Sequence, residues 1–323
     1  MINLFRLLAL VLLVAGKPAS AEAPRVVASI KPVHSIVAAV MEGVGAPTLL
    51  VSGAATPHSY AMRPSDARAL ASADLVFWVG PALESFLAKP LSVLPDSAKV
   101  VRLIDAEGLH RLPVREGGAF EAHEHGHEHG HAHQRAEPGH DHGHDHGHGP
   151  DGAIDPHVWL DPHNAEVMAT AVAAALADRD PAHAERYGDN ARRLVRELEA
   201  LDAELREAIA PLHGIPYVVF HDAYQYFEAH YGLQPAGSIT IEAERAPGAR
   251  RVAEVRDRIV ALGARCVFGE PQFRSDIVDT LIDGTGARAA TLDPLGAALD
   301  AGPALYAALL RNLAADLRGC LAG

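Results

Sequence analysis

Residues 181–209 read PAHAERYGDNARRLVRELEALDAELREAI. Within them Tyr187, Ala191, Leu194, Leu198, Leu201, Leu205 and Ile209 recur every three or four residues, with charged side chains between. That spacing draws one apolar stripe along a single helix of about 25 residues. Pro181 suits the first helical position, where an amide proton would have no partner in any case. A helix this long amid much shorter elements can act as a spine, and the flanking sequence says what it joins.

On both sides, short apolar runs alternate with helical patterns. Before the spine, strands are predicted at Val26–Ile30, Thr48–Val51, Leu75–Val79 and from Val100, with helices at Pro32–Met41, Pro64–Ser72 and Leu83–Leu87. Asp161-Pro162 reads as an N-cap followed by proline at the first helical position, opening a helix to about Leu176. After the spine, strands at Tyr217–Phe220, Gly237–Ile241, Cys266–Phe268 and Ala289–Leu292 alternate with helices at Ala223–His230, Gly248–Leu262 and Ser275–Asp283. A helix at Ala304–Leu317 ends the chain. This alternation predicts an α/β fold of two lobes, each a parallel β-sheet flanked by helices, joined by one long linking helix. The expected divisions are a first lobe at 22–180, the linking helix at 181–211 and a second lobe at 212–323.

Two segments fall outside this pattern. Residues 1–21 carry Arg6, the apolar run Leu7 to Ala15 and the small-x-small triplet Ala19-Ser20-Ala21, which together read as a cleavable signal peptide. The apolar run is too short to span a bilayer, and no cysteine follows it to take a lipid, so a periplasmic chain without a membrane anchor is expected. Residues 121–151 are His, Gly, Glu and Asp with almost nothing apolar, and cannot bury enough surface to offset their ordering entropy. A loosely held loop inserted in the first lobe is expected there. It holds His123, His125, His127, His129, His131, His133, His140, His142, His144, His146 and His148, eleven of the chain's 20 histidines. Imidazoles with an ordinary pKa near 6.5 are mostly neutral at pH 7, so this loop should bind several metal ions weakly and exchange them quickly. A solvated linker with incidental metal affinity is the plainer reading.

The 323-residue chain has 41 acidic against 28 basic residues, a formal net charge of −13, and loss of Arg6 and Lys17 with the signal makes it more negative. That sign argues against nucleic acid and anionic lipid as partners and suits a cationic ligand, although it also serves plain solubility. Two cysteines exist, Cys266 and Cys320, neither in a C-x-x-C pair. In an oxidising compartment a disulfide is the natural reading, with a zinc–thiolate role as the alternative.

Three histidines occupy positions that call for explanation. His58 follows the second strand in Pro57-His58-Ser59-Tyr60, and His221 directly follows the strand ending at Phe220. His157 lies in Asp155-Pro156-His157-Val158-Trp159-Leu160, where the chain returns from the loop, and Asp293 follows the strand Ala289–Leu292. Ligands of open α/β sheets bind beyond the carboxyl ends of strands. Each residue taken singly is as well read as a hydrogen-bonded structural group.

Together with their surroundings they carry a resemblance. Ala28-Ser29-Ile30-Lys31-Pro32, Pro57-His58-Ser59-Tyr60 with Arg63-Pro64-Ser65-Asp66, and Ala73-Asp74-Leu75-Val76 are the first matching stretches. His157-Val158-Trp159-Leu160-Asp161-Pro162, His221-Asp222-Ala223-Tyr224-Gln225-Tyr226-Phe227, Glu270-Pro271-Gln272-Phe273 and Leu292-Asp293-Pro294-Leu295-Gly296 complete the set. In this order, from about residue 26 to 296, the chain resembles the metal-binding receptors of periplasmic ABC transporters, and among them the zinc receptors of the ZnuA type. The resemblance implies two lobes on a rigid helical linker and a metal in the cleft between them. It implies ligands at His58, His157 and His221, with Asp293 or water as the fourth. Some relatives carry an acidic residue directly after the first histidine, where this chain has Ser59. His163 repeats the Asp-Pro-His triplet, but its place in the first turn of a helix disfavours a cation.

Three neutral imidazoles suit zinc, copper or nickel, whereas manganese sites prefer more carboxylate and water. Zinc is therefore the expected metal, and the resemblance implies zinc as the transported ligand, a membrane permease as partner and a monomeric, non-enzymatic chain, with the loop aiding zinc capture or sensing. Three alternatives stay open: a periplasmic zinc chaperone that loads a metalloenzyme, a copper or nickel receptor, and a zinc hydrolase with Asp222 or Glu270 as base. Deletion of Glu121 to Gly149 should leave the affinity of the cleft nearly unchanged.

Overall fold

The central strands are buried on both faces, whereas edge strands at Thr48–Val51, Lys99–Arg102 and Arg288–Thr291 are partly exposed. The computed structural model describes residues 23–95, 97–115, 153–240, 248–273 and 276–323. In it β1 (Val26–Ile30) and β3 (Leu75–Trp78) are buried at every position. With β2 (Thr48–Val51) and β4 (Lys99–Arg102) they form a parallel sheet in the order β2-β1-β3-β4. Unbroken apolar runs such as Leu75-Val76-Phe77-Trp78 are the expected signature of strands covered by helices on both sides. The second sheet repeats the plan. β5 (Tyr217–His221), β6 (Gly237–Thr240), β7 (Cys266–Gly269) and β8 (Arg288–Thr291) lie parallel in the order β6-β5-β7-β8. In both sheets the order reverses beside the first strand. The crevices therefore open between the carboxyl ends of β1 and β3 and between those of β5 and β7.

The first sheet is flanked by α1 (Lys31–Val40), α2 (Pro64–Ala71), α3 (Ser85–Leu91) and α4 (Pro162–Arg179). Asp161 caps α4, its carboxylate accepting the His163 amide at 2.9 Å. Helix α3 begins two residues after the predicted Leu83. Residues 79–84 instead form a turn around the wholly buried Glu84, whose carboxylate accepts the Val79 and Gly80 amides and the Ser29 hydroxyl.

The spine is α5 (Ala184–Ile209), 26 residues long, and its seven buried residues are Tyr187, Ala191, Leu194, Leu198, Leu201, Leu205 and Ile209. It starts three residues after Pro181 because Pro181–His183 make a separate 3-10 turn. The second lobe adds α6 (Gln225–Tyr231), α7 (Ala249–Leu262), α8 (Asp276–Ile282) and α9 (Leu305–Leu321). A disulfide between Cys266 and Cys320 ties α9 to β7.

The last part of the chain does not stay with its own lobe. Helix α9 packs on α1 and α5. Ahead of it, residues 292–306 lie against the first lobe. There Lys31 Nζ, nearly buried, donates to the carbonyls of Gly296, Ala297 and Leu299 at 2.8–2.9 Å. Ser35 Oγ donates to Pro303, Trp159 Nε1 to Pro294 and the Tyr306 hydroxyl to Trp159. One apolar core accordingly runs from Val26 through the α5 stripe to Leu321.

Candidate metal centre

Two loops and one strand end each bring an imidazole to the space between the lobes. His58 stands on the loop after β2, which is pinned below by the Tyr60 hydroxyl donating to Asp66 (2.8 Å) and by the Arg63–Asp66 ion pair. His157 lies where the chain re-enters the first lobe. There Pro113 and Ile154 form an antiparallel bridge and Asp155 N donates to Leu112 O. His221 is the last residue of β5. Their Nε2 atoms converge: His157 Nε2 is 3.3 Å from that of His58 and 3.4 Å from that of His221, and all three ligand atoms lie within 4.8 Å of one another.

A tetrahedral zinc ion with Zn–N bonds of about 2.0–2.1 Å holds its nitrogens roughly 3.3–3.4 Å apart. The two contacts fall at that separation. Three facing lone pairs need a cation or a proton among them, so the spacing of the nitrogens and their chemistry point the same way.

The opposite ring nitrogens are backed by carboxylates. His157 Nδ1 lies 2.7 Å from Asp155 Oδ1 and His221 Nδ1 lies 2.6 Å from Glu270 Oε1. A carboxylate behind a ligating histidine fixes its tautomer and raises its basicity, directing the free lone pair inward. Glu270 sits just past β7, at the point where the second sheet reverses order. Neither carboxylate was singled out in this role from the sequence. The signals were there: Asp155 lies two residues before His157, and Glu270 follows a strand as His221 ends one. Replacing Glu270 with glutamine should weaken zinc binding by about 10- to 100-fold. Competition titration against a zinc chelator measures this, and an unchanged affinity would remove Glu270 from the site.

Pro57, Leu83, Trp159, Phe273, Pro294 and Leu295 complete the walls. In this dry setting burial, reinforced by the neighbouring imidazoles, pushes His58 down to about 2 and His157 well below its ordinary value. His221 moves the other way. Burial lowers it, but Glu270 together with Asp222 and Asp155 outweighs burial and the net shift is upward. Zinc entering below the raised pKa of His221 therefore displaces a proton from that ring. As pH falls through the raised pKa of His221 the apparent affinity should drop about tenfold per unit, and above that pKa it should level off. Calorimetry in buffers of different ionisation enthalpy reads the proton count directly.

Asp293 is not brought to this group. Its carboxylate accepts the backbone amides of Leu295, Gly296 and Ala297 and the Gln272 side chain, so it shapes the turn that carries Pro294 and Leu295. His163 is also elsewhere, on the outer face of α4 with its ring against His110. The signal segment and the eleven loop histidines lie outside the described residues. At the root of that loop Arg115 crosses to the second lobe and pairs with Asp222 and Glu228.

The chain matches the family model described as zinc-uptake complex component A, periplasmic, over residues 26–320. It belongs to that family. The high-affinity zinc uptake system protein ZnuA of Brucella abortus (strain 2308) is 52% identical over 314 residues, covering 95% of this chain and 94% of the relative. The protein of the same name from Paracoccus denitrificans (strain Pd 1222) is 43% identical over 308 residues, covering 95% and 94%. Among solved structures, a ZnuA crystal structure superposes with a TM-score of 0.73 at 24% identity, covering 93% of this chain and 99% of that one. A zinc-bound ZnuA lacking residues 138–173 in its own numbering superposes at 0.72 with the same identity, covering 93% and 98%. Members of this zinc-uptake family are described as periplasmic. Among the described residues no helix is long and apolar enough to cross a membrane.

Proposed function

We propose that this chain is a periplasmic receptor that captures Zn(II) in the cleft between its lobes and delivers it to the membrane permease of an ABC importer. The observation that carries this reading is the convergence of three imidazole nitrogens within 4.8 Å of one another, two of their separations at the spacing of a tetrahedral zinc ion and one ligand coming from the second lobe. His58, His157 and His221 are the ligands, and water rather than Asp293 takes the fourth position. Signal-peptide export and a monomeric state belong to the same reading. A metal held by both lobes favours the closed arrangement by its differential affinity for it. The His-rich loop, through His123 to His148, raises the local supply of zinc to the cleft.

Binding without chemistry is favoured over a hydrolase by what the candidate bases already do. Glu270 is engaged with His221, and Asp222 with Arg115. A general base must be free to reach a water beside the metal. Asp222 is held by Arg115, and Glu270 is committed through one oxygen to the back of the His221 ring, its other oxygen having no hydrogen-bond partner among the described residues. A chaperone for a single metalloenzyme would use the same cleft, and growth separates the two. A strain lacking this gene should fail to grow in zinc-depleted medium. The wild-type gene should restore growth, and the His58→Ala/His157→Ala/His221→Ala variant should not. Normal zinc-limited growth with loss of one zinc enzyme would establish the chaperone instead.

A further inference from the structure

Away from the cleft, histidines and carboxylates gather where α4, α5 and α6 meet. Asn164 fixes the backbone of His110 beside α4: the His110 amide donates to Asn164 Oδ1 (2.7 Å) and its carbonyl accepts from Asn164 Nδ2 (3.0 Å). This holds the His110 ring on that of His163, with centroids 4.5 Å apart and planes inclined by 36°. Both side chains are open to water, 64% and 42% exposed. One turn further along α4, Glu166 Oε2 lies 3.7 Å from His163 Nδ1, and Asp161 Oδ2 lies 3.3 Å from His110 Nδ1. Burial, with Glu199, Asp202 and Asp161 as neighbours, shifts the Glu166 carboxyl upward, against the opposing pull of His163. His230 pairs with Asp161 and Asp202, and Arg206 with Asp202, whereas among the described residues Glu166 is paired only with His163. The patch presents two imidazoles whose nitrogens the cleft does not use.

The positive end of α4 would by itself repel a cation here. Asp161 caps that end, and Glu166 adds a second negative charge within the next turn. Exposed side chains turn about their χ angles on a fast timescale, and binding requires such a turn to bring one nitrogen from each ring and a Glu166 oxygen onto a common ion. Two imidazoles, a carboxylate and open solvent match the donor preference and coordination number of zinc. We propose that His110, His163 and Glu166 form a second, solvent-exposed zinc site on the first lobe, separate from the cleft. His221 and His157 each have a carboxylate buried behind the ring, whereas these rings stand in water, so the surface site fills after the cleft.

Carbethoxylation of histidines with diethyl pyrocarbonate, read residue by residue by mass spectrometry on the full chain during titration with zinc chloride, tests this. The first equivalent of zinc should leave His110 and His163 reactive. Further zinc should protect them together, roughly tenfold when free zinc is about ten times the dissociation constant, with His183 as an unaffected control. In His110→Ala the protection of His163 should be lost, and in Glu166→Gln it should need more zinc. Unchanged reactivity of both rings under excess zinc would overturn the proposal, as would protection of His163 that survives in His110→Ala. Either result leaves the cleft reading intact, because that reading is tested by protection of the half-buried His58 at the first equivalent.

Discussion

Replacing His157 with alanine is expected to abolish tight zinc binding. Both short nitrogen contacts of the triad run through this residue, and it is buried with Asp155 fixed behind it. Removing an outer partner of a metal ligand typically lowers affinity by about 10- to 100-fold. Removing the ligand itself should exceed the upper end of that range. His58 and His221 would remain, but they are tied to different lobes and would no longer be bridged through a common neighbour. Competition titration against a chromophoric chelator compares wild type, His157→Ala and the triple variant His58→Ala/His157→Ala/His221→Ala. Zinc should raise the melting temperature of wild type by mass action and leave that of His157→Ala nearly unmoved at the same concentration. A tight site of wild-type affinity in the triple variant would locate zinc outside the cleft.

The largest effect on stability is expected at the other end of the second lobe. Cys266 and Cys320 are 54 residues apart in sequence, and their bond closes a loop holding β8 and all but the last residue of α9. On the chain-entropy account, opening a loop of that length destabilises the fold by about 4 kcal/mol. For a chain of this size that corresponds to a fall in melting temperature of roughly 5–10 °C. The Cys266→Ser/Cys320→Ser variant, or reduction of the native chain, should show this in calorimetry. Zinc affinity at 25 °C should hardly change, because none of the three cleft histidines lies within the closed loop, and Glu270, which does, is held behind His221 by the pairing of β7 with β5. An equal loss of affinity and stability would mean that α9 positions the metal site.

Much of this was readable in the sequence, for physical reasons that can be named. Strands buried on both faces must be apolar throughout, and the seven-residue stripe of α5 has one helical period, so both patterns survive in a single sequence. The three histidines stood out as candidates because polar side chains at the ends of buried strands need a reason to be there. What could not be read was orientation. Glu270 and His221 are 49 residues apart, and only the pairing of β5 with β7 places one behind the other. Asp293 follows β8 much as His221 ends β5, yet its carboxylate turns back onto the amides of Leu295, Gly296 and Ala297, a local competition that aspartate commonly wins in turns. The late start of α3 has a similar cause, since Glu84 uses its side chain to close the preceding turn rather than to begin a helix.

The shared core also bears on how this architecture can be inherited. Helix α9 returns to α1, Lys31 is bound by carbonyls from the far end of the chain, and the α5 stripe belongs to the same interior as both ends. A gene divided within α5 would encode two fragments, each with a large apolar face and a missing wall. Neither fragment could be traded between related genes as a ready-made part. Changes of metal preference in this lineage must therefore accumulate by substitution around the cleft, one side chain at a time, within an intact chain.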